Sequence, residues 1–281
     1  MVVMPELPEV ETVRRALSQV LDGRQIIAAE FPPDSIVQAN LPDGSLLDAC
    51  VGARVERVGR RGKFWWLELD RKPWLFGHLG MAGWIRELGC DSIRLREHGN
   101  APFEDETGRP RFLKMLLEAE TGRRVAMTDG RRLSRLWLGD GPSEALPKLG
   151  PDMLLEPWSV DELGRRLQGR SAPIKALLLD QTLFCGVGNW IADEVLYQAG
   201  IAPQRPAGEL SATELDRLLV SLADVLKRAV DVGANSDGYP KSWLFHYRWG
   251  GAKGQETVEG AAIQRQTVGG RTTAWVPTRQ S

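Results

Sequence analysis

The chain has 281 residues, of which 42% are hydrophobic and 26% charged, so it can bury a sizeable core and is long enough for two domains. No segment reaches the roughly 18 consecutive apolar residues of a membrane span, and no basic, apolar signal segment opens the chain. We therefore expect a soluble intracellular protein without a membrane partner. The formal net charge of -1 disfavours a uniformly basic surface for nucleic acid.

The three cysteines and three histidines are dispersed along the chain and show no metal-ligand spacing. An odd number of cysteines without a CxxC pair disfavours a disulfide framework. We predict that Cys50, Cys90 and Cys185 are buried thiols. We expect no metal and no other cofactor.

Positive charge is concentrated in two stretches, whereas acidic residues concentrate elsewhere, as in 209–224. These stretches are either solvated strand faces and loops or a surface for nucleic acid, and the sequence pattern alone leaves both interpretations open. Their members are Arg54, Arg57, Arg60, Arg61 and Lys63 in the first, and Arg109, Arg111, Lys114, Arg123, Arg124, Arg131, Arg132 and Arg135 in the second.

The first predicted element is an amphipathic helix over residues 8–21, which begins three residues after Pro5. Pro8 suits a first-turn position, and Gly23 is a stop signal. The apolar residues recur at helical spacing, at Val10, Val13, Leu17, Val20 and Leu21.

From residue 26 to residue 138 the pattern changes to short β-rich runs separated by Gly, Pro and Asp turns, which predicts an antiparallel β-sandwich. A Gly-Pro break near residue 150 opens a helical half, with helices predicted at 160–167, 174–181, 190–199 and 212–230. Residues 262–268 and 271–276 flank Gly269-Gly270 and predict a β-hairpin. The fold class is therefore α+β, with domains at 4–149 and 150–246 and a terminal hairpin region at 247–281.

The opening segment Met4-Pro5-Glu6-Leu7-Pro8-Glu9-Val10-Glu11 closely resembles the N-terminus of the formamidopyrimidine-DNA glycosylase and endonuclease VIII family. Further matches follow in order along nearly the whole chain. They are Gly77-His78-Leu79-Gly80-Met81, Thr128-Asp129-Gly130-Arg131-Arg132-Leu133, Leu149-Gly150-Pro151-Asp152, Gly186-Val187-Gly188-Asn189-Trp190-Ile191-Ala192-Asp193-Glu194 and Gly269-Gly270-Arg271-Thr272-Thr273.

The resemblance implies a helix-two-turns-helix domain at 150–246 and a DNA-binding finger at 247–281. Many relatives hold this finger with four zinc-binding cysteines, whereas no cysteine follows Cys185 here. We therefore expect a zincless finger, as in the plant and fungal formamidopyrimidine-DNA glycosylases.

The resemblance also implies that Pro5 is the nucleophile, whose secondary amine attacks C1′ of the damaged nucleoside. An N-terminal amine, with an ordinary pKa of about 8, is partly neutral at physiological pH, as this chemistry requires. We therefore expect translation to begin at Met4 and Met4 to be removed, so that Met1-Val2-Val3 are absent from the working protein. Glu6 resembles the family's general acid. The alternative is that Pro5 and Glu6 only mark a helix start.

Three further residues resemble DNA-backbone contacts of the family, and Lys63 is placed beside the lesion as part of the catalytic set. Asn189 matches the helix-two-turns-helix asparagine, although its side chain alone also suits a helix cap. Arg271 lies in the hairpin. Taken alone, Lys63 and Arg271 are also compatible with ordinary solvated charges.

By the same resemblance Met81, Arg131 and Leu133 fill the gap left when the damaged nucleotide leaves the duplex. Arg131 then faces the orphaned base. Core packing is the alternative for the two apolar side chains. This chain departs from many relatives, which carry phenylalanine at the position of Leu133 and proline at that of Gly130.

The sequence thus predicts a bifunctional DNA glycosylase and abasic-site lyase that acts on damaged double-stranded DNA as a monomer. We expect oxidised purines as substrates, above all ring-opened formamidopyrimidines, because the 232–246 segment is short for a loop that closes over 8-oxoguanine. Oxidised pyrimidines are the alternative within this class. A non-catalytic protein that binds damaged or abasic DNA, and more remotely an RNA-binding or scaffolding protein, are alternatives of other classes. The compartment is the nucleus in a eukaryote and the cytoplasm or nucleoid in a bacterium.

Overall fold

A computed structural model describes residues 5–90, 103–249 and 260–281. Met1–Met4, whose removal we expect, lie outside the described residues. The chain divides into two compact units, with the boundary between Pro147 and Lys148.

The first helix, α1 (Leu7–Leu21), begins one residue earlier than the sequence predicts. Glu6 is its N-cap, and the chain leaves the helix through Asp22 and the left-handed Gly23. The apolar stripe of the helix is fully buried at Val10, Val13, Leu17, Val20 and Leu21. The predicted amphipathic helix is therefore confirmed.

Eight strands of the first unit form two four-stranded antiparallel sheets, of order β1-β6-β7-β5 and β2-β3-β4-β8. Two short helices accompany them, α2 (Ser45–Cys50) and α3 (Pro142–Ala145). The strands are β1 (Ile26–Glu30), β2 (Val55–Arg61), β3 (Phe64–Leu69), β4 (Trp74–His78), β5 (Trp84–Glu87), β6 (Leu113–Ala119), β7 (Arg124–Thr128) and β8 (Arg135–Gly139).

One hydrophobic core joins both sheets and α1. It contains Trp65 and Leu75 from one sheet and Met115 and Met127 from the other, all fully buried. Burial of each large apolar side chain contributes about 1.5–3 kcal/mol. The predicted β-sandwich is confirmed.

The second unit is helical and ends in a hairpin. Short 3-10 helices cover Ala207–Glu209, Ser236–Gly238 and Leu244–His246. The longer elements are α4 (Val160–Leu167), α5 (Ile174–Leu178), α6 (Asn189–Ala199), α7 (Ala212–Asp231), β9 (Gln264–Val268) and β10 (Arg271–Trp275).

Helix α5 ends at Leu178, earlier than the predicted end at residue 181. The carboxylate of Asp180 accepts hydrogen bonds from the backbone N–H of Thr182 at 2.8 Å and from its hydroxyl at 2.7 Å. This local side-chain turn competes with continued helix.

The terminal hairpin has the predicted turn, because Val268 pairs with Arg271 and the two intervening glycines have φ angles of 59° and 72°. Ala274 and Val276 pack with Leu244 in a small core of their own. The α+β fold class is confirmed.

Within the described ranges, no helix is both long and apolar enough to cross a membrane. No group of three or more His, Cys, Asp or Glu residues there is arranged to hold a metal ion. Cys50 and Cys185 are buried, as predicted, but the prediction is wrong for Cys90, which is exposed in the turn that follows β5.

Candidate active site and nucleic-acid interface

Pro5 and Glu6 are buried at the start of α1, and Glu6 is only 1% exposed. The backbone N–H of Glu6 donates to Oε2 of Glu9 at 2.9 Å, within a reciprocal capping box. The positive end of α1 is therefore directed toward Pro5, while two carboxylates lie within four residues of it. Glu6 marks the helix start, as the alternative interpretation states. Capping a helix does not require a buried acid, however, so capping alone does not explain the burial of Glu6.

A buried ion pair connects α1 with the turn that carries Lys63. Arg60 donates from Nε to Glu11 at 3.0 Å and from Nη1 to the carbonyl of Gly62 at 3.1 Å. Burial raises the pKa of Glu11, but hydrogen bonds from Arg14 and Arg60 outweigh this and hold the pKa below its ordinary value. The carboxylate therefore stays charged and fixes the turn relative to the helix.

Lys63 is buried in that two-residue turn, since only 7% of it is exposed. Its positive charge lies close enough to His78 to help shift the imidazole pKa. Burial first, and then the charges of Lys63 and Arg135, lower the pKa of His78 to about 4. Lys63 is thus not an ordinary solvated lysine.

His78 lies beside Lys63, and sequence reasoning did not single it out although it stands inside a matched motif. Its Nδ1 accepts the backbone N–H of Gly80 at 3.0 Å, which places the proton of the neutral ring on Nε2. The imidazole therefore offers one N–H donor beside the ammonium of Lys63.

A loop at residues 129–134, termed the Asp129 loop, is organised around one buried carboxylate. Asp129 is 1% exposed and accepts backbone N–H groups from Arg131 at 2.9 Å and from Leu133 and Ser134 at 2.7 Å each. Three convergent hydrogen bonds hold the loop in one conformation.

The two adjacent arginines of this loop have different surroundings. Arg132 has a φ of 57° and donates twice to Asp34, at 2.9 Å in each case. The hydrogen bond from Arg132, and that from Lys114, hold the pKa of Asp34 well below its usual range. Arg132 is thus engaged within the protein, and Arg131 presents an exposed side chain.

Gly80 brings Met81 to the Asp129 loop. It has a φ of 64°, and a Cβ there would lie 2.2 Å from the carbonyl oxygen of Leu133, so only glycine permits this approach. Met81 is half-buried and Leu133 is 36% exposed, which disfavours the core-packing alternative. The structure therefore brings Met81 close to the loop that carries Arg131 and Leu133.

In the second unit Asn189 is the first residue of α6, and Gly188 is the N-cap. The side-chain amide of Asn189 donates from Nδ2 to the carbonyl of Thr272 at 3.0 Å, and its Oδ1 accepts no N–H at the start of α6. The alternative interpretation of Asn189 as a helix cap is wrong, because its side chain turns toward β10.

A buried charge cluster, formed by Lys175, Asp193 and Arg248, lies behind this contact. Asp193 accepts Nζ of Lys175 at 2.6 Å on one oxygen and Nη2 of Arg248 at 2.6 Å on the other. Lys175 also donates to the hydroxyl of Thr273 at 2.6 Å. The cluster anchors β10, which begins with the exposed Arg271.

Local sequence patterns do not reveal this cluster. Lys175 and Thr273 are 98 residues apart, and Asp193 and Arg248 are 55 apart. The sequence signal that could have revealed it is the pair Lys175 and Asp193, two ionisable residues on otherwise apolar helix faces. Buried charges require partners.

Two family models match the chain. The formamidopyrimidine-DNA glycosylase N-terminal domain matches residues 4–136, and the formamidopyrimidine-DNA glycosylase H2TH domain matches residues 149–239.

A formamidopyrimidine-DNA glycosylase of Arabidopsis thaliana is 38% identical over 99% of this chain and 71% of the relative. Among solved structures, the MutM (Fpg) protein of Thermus thermophilus has 34% identity and a TM-score of 0.74, with 98% of each chain covered. The Lactococcus lactis Fpg bound to a FAPY-dG containing DNA has 28% identity and a TM-score of 0.78, covering 98% of this chain and 100% of that one. The chain therefore belongs to the formamidopyrimidine-DNA glycosylase family, the DNA N-glycosylases of base excision repair.

Proposed function

We propose that this glycosylase is bifunctional, and that it removes oxidised purines from duplex DNA and then cleaves the strand, with Pro5 as nucleophile. The observation that carries the proposal is the buried pair Pro5 and Glu6 at the start of α1, with the Lys63 turn tied to the same helix through Arg60. A nucleophile, an acid and a phosphate-binding cation are thereby supplied by one rigid part of the fold.

In the proposed reaction the free secondary amine of Pro5 attacks C1′ while Glu6 protonates the sugar ring oxygen. The C1′–base bond breaks with both electrons leaving on the base, which takes up the proton lost from the Pro5 nitrogen. The C1′–O4′ bond then breaks, with its electrons on the oxygen that Glu6 protonates, and the ring-opened sugar becomes an iminium on Pro5. Loss of a proton from C2′ then expels the 3′ phosphate. Burial of Glu6 next to Pro5 supports the acid role, because the carboxyl is held in place directly beside the nucleophile.

We assign backbone phosphates of the lesion strand to Lys63, His78, Asn189 and Arg271. The neutral ring of His78 donates from Nε2 without adding charge. Asn189 retains a second amide hydrogen beyond the one used on Thr272. Residues 4–149 would supply the chemistry, and 150–246 and the 247–281 hairpin would position the backbone.

We assign the space vacated by the damaged nucleotide to Met81, Arg131 and Leu133. Two of these side chains are apolar and partly exposed at loops that meet through Gly80. Arg131 is left to face the orphaned base because its neighbour Arg132 is held by Asp34.

Ring-opened formamidopyrimidines are the proposed preferred substrates. Structural neighbours have been seen with both lesions, the Lactococcus lactis Fpg with a FAPY-dG containing DNA and a MutM with a carbocyclic 8-oxo-G containing DNA. The support for the preference is therefore the packing of the 232–246 segment. Tyr239, Trp243 and Phe245 are 3%, 7% and 6% exposed, and Trp190 stacks with Tyr239 at 5.8 Å between ring centroids. A segment anchored in this way has little freedom to close over 8-oxoguanine.

The rival proposals are removal of oxidised pyrimidines and non-catalytic binding of damaged or abasic DNA. We propose that the protein acts as a monomer, in the nucleus of a eukaryote or the cytoplasm or nucleoid of a bacterium.

The test uses Glu6→Gln, which keeps a capping oxygen but cannot supply the proton. Release of free formamidopyrimidine should fall by at least about 100-fold under single-turnover conditions, with the affinity for abasic DNA retained. Glu118→Gln, on a strand, is the control and should act as the wild type. Equal loss of release and binding would indicate a structural role for Glu6, and undiminished release would remove it from the mechanism.

A further inference from the structure

We propose that Phe112 is an additional DNA-contacting residue, which stacks on a nucleobase left exposed when the damaged nucleotide leaves the duplex. This inference rests on the proposed function, since it needs a duplex opened at the Asp129 loop. No motif in the sequence singles out Phe112.

The exposure and backbone of Phe112 are unusual for an aromatic residue. Its side chain is 57% exposed, and its φ of 58° is a left-handed conformation that bulky residues rarely adopt. Such a conformation costs free energy and persists where neighbouring structure imposes it. Packing does not explain the ring, because more than half of it faces solvent.

Phe112 is joined to the Asp129 loop through the backbone. The N–H of Asp129 donates to the carbonyl of Phe112 at 3.0 Å, and the carboxylate of the same Asp129 holds the N–H groups of Arg131 and Leu133. Phe112 therefore lies beside Arg131 and Leu133, two of the three residues that we assign to the space vacated by the damaged nucleotide.

Gly130 makes room for the ring. A Cβ on Gly130 would lie 3.3 Å from Cδ2 of Phe112, so a larger side chain at this position would crowd the ring. Glycine at this position therefore leaves the ring uncrowded. Glycine at position 130, where many relatives carry proline, and the exposed ring of Phe112 thus belong to one local arrangement.

Positive charge flanks the ring. The guanidinium of Arg111 lies 5.4 Å from its centroid, and Arg131 follows directly after Gly130. An exposed aromatic ring with a cation beside it suits a polyanion with flat bases, since stacking serves the bases and arginine serves the phosphates. Leu133 has no aromatic face, so Phe112 would supply the stacking surface that the Asp129 loop itself lacks.

The experiment measures the dissociation constants of Phe112→Ala, Phe112→Leu and the wild type. The ligands are a duplex with a tetrahydrofuran abasic analogue opposite 2-aminopurine and the same duplex without damage. Ile27→Ala is the matched control, because Ile27 is an exposed apolar residue of the same unit, 49% exposed.

Phe112→Ala should weaken binding to the abasic duplex by about 10-fold or more, which is the usual effect of losing one base-aromatic stack. The 2-aminopurine emission of its complex should differ from that of the wild type. Phe112→Leu should recover little of the affinity, and the control should stay within about twofold. Affinity for the undamaged duplex and the melting temperature should hardly change.

Unchanged abasic-DNA affinity in Phe112→Ala would overturn the proposal, and so would full recovery in Phe112→Leu, which would leave only an apolar wedge. Equal weakening on both duplexes would also overturn it. Borohydride trapping on a duplex with a natural abasic site, whose C1′ aldehyde can form the iminium, separates this failure from that of the proposed function. If the wild type forms the adduct while Phe112→Ala binds normally, only the role of Phe112 is lost; if the wild type forms none and prefers no damaged duplex, both proposals are lost.

Discussion

Asn189 and Thr272, at the N-terminus of α6 and in β10, are joined by a 3.0 Å hydrogen bond from the asparagine amide to the threonine carbonyl. This bond couples the helix end to the strand that begins at Arg271. Two proposed phosphate contacts, Asn189 and Arg271, are therefore fixed relative to each other before DNA arrives, which limits the ordering cost on binding.

Arg271→Ala should weaken binding to abasic DNA and reduce the slope of log affinity against log salt concentration by about one unit, because one phosphate contact is lost. Fluorescence titration at several salt concentrations measures this slope. Arg217→Ala, an exposed arginine on α7, is the control and should leave the slope unchanged. The assignment of Arg271 to phosphate is wrong if both variants keep the wild-type slope.

Asp193→Asn should destabilise the protein by about 3–5 kcal/mol, because it leaves the cations of Lys175 and Arg248 buried without a compensating charge. Urea unfolding of the second unit, monitored through its tryptophans, reports this loss. The same cluster is expected to hold the hairpin without metal, so EDTA should change neither stability nor activity of the wild type. Inactivation by EDTA that zinc reverses would contradict this account of the hairpin.

Glu194 should make stability fall as pH rises between about 4.5 and 7. Burial raises the pKa of this fully buried carboxyl to about 7, so the folded protein holds a proton that the unfolded chain has already lost. This stability is fully present below pH 4.5. Glu194→Gln should remove of the order of 2–3 kcal/mol of that pH dependence.

Denaturant unfolding at pH 5 and pH 8 is the appropriate measurement for Glu194→Gln. His78 acts in the opposite direction, because burial lowers its pKa to about 4 and the unfolded imidazole gains its proton first as pH falls below about 6.5. The comparison with the wild type isolates the contribution of Glu194. An identical pH profile for both proteins would mean that Glu194 does not titrate in this range.

Ring-opened formamidopyrimidine should be excised faster than 8-oxoguanine, because the aromatic packing of Tyr239, Trp243 and Phe245 restrains the 232–246 segment. Single-turnover release of each base from otherwise identical duplexes gives the two rates. Equal rates, or faster release of 8-oxoguanine, would reject the argument from the restrained segment.

Local patterns were sufficient to predict α1, the sandwich strands, the helices of the second unit and the terminal hairpin. Each has a clear hydrophobic period with glycine, proline or aspartate at its ends. The short α2 within the β-rich half was not predicted, since six residues are too few to establish a period.

The site was predictable only where a contiguous motif carried it. Pro5 and Glu6 lie within such a motif, whereas the contacts of Asp129 and Phe112 are backbone hydrogen bonds that no side-chain pattern encodes. The pairing of Lys175 with Asp193 and Arg248 depends on contacts between distant segments. Tertiary packing determines which charged residues become partners in such a cluster.

The proposed chemistry requires a free Pro5 amine, since the nitrogen of an internal proline is an amide whose lone pair is delocalised onto the carbonyl. The most direct measurement combines intact-mass analysis of the N-terminus with borohydride reduction on abasic DNA and peptide mapping of the adduct. Protein expressed from Met4 should begin at Pro5 and form a stable adduct mapped to Pro5, Pro5→Gly should retain some trapping through its primary amine, and protein that retains Met1 should form none there. Undiminished trapping of the Met1 form through a lysine such as Lys63 would contradict the account.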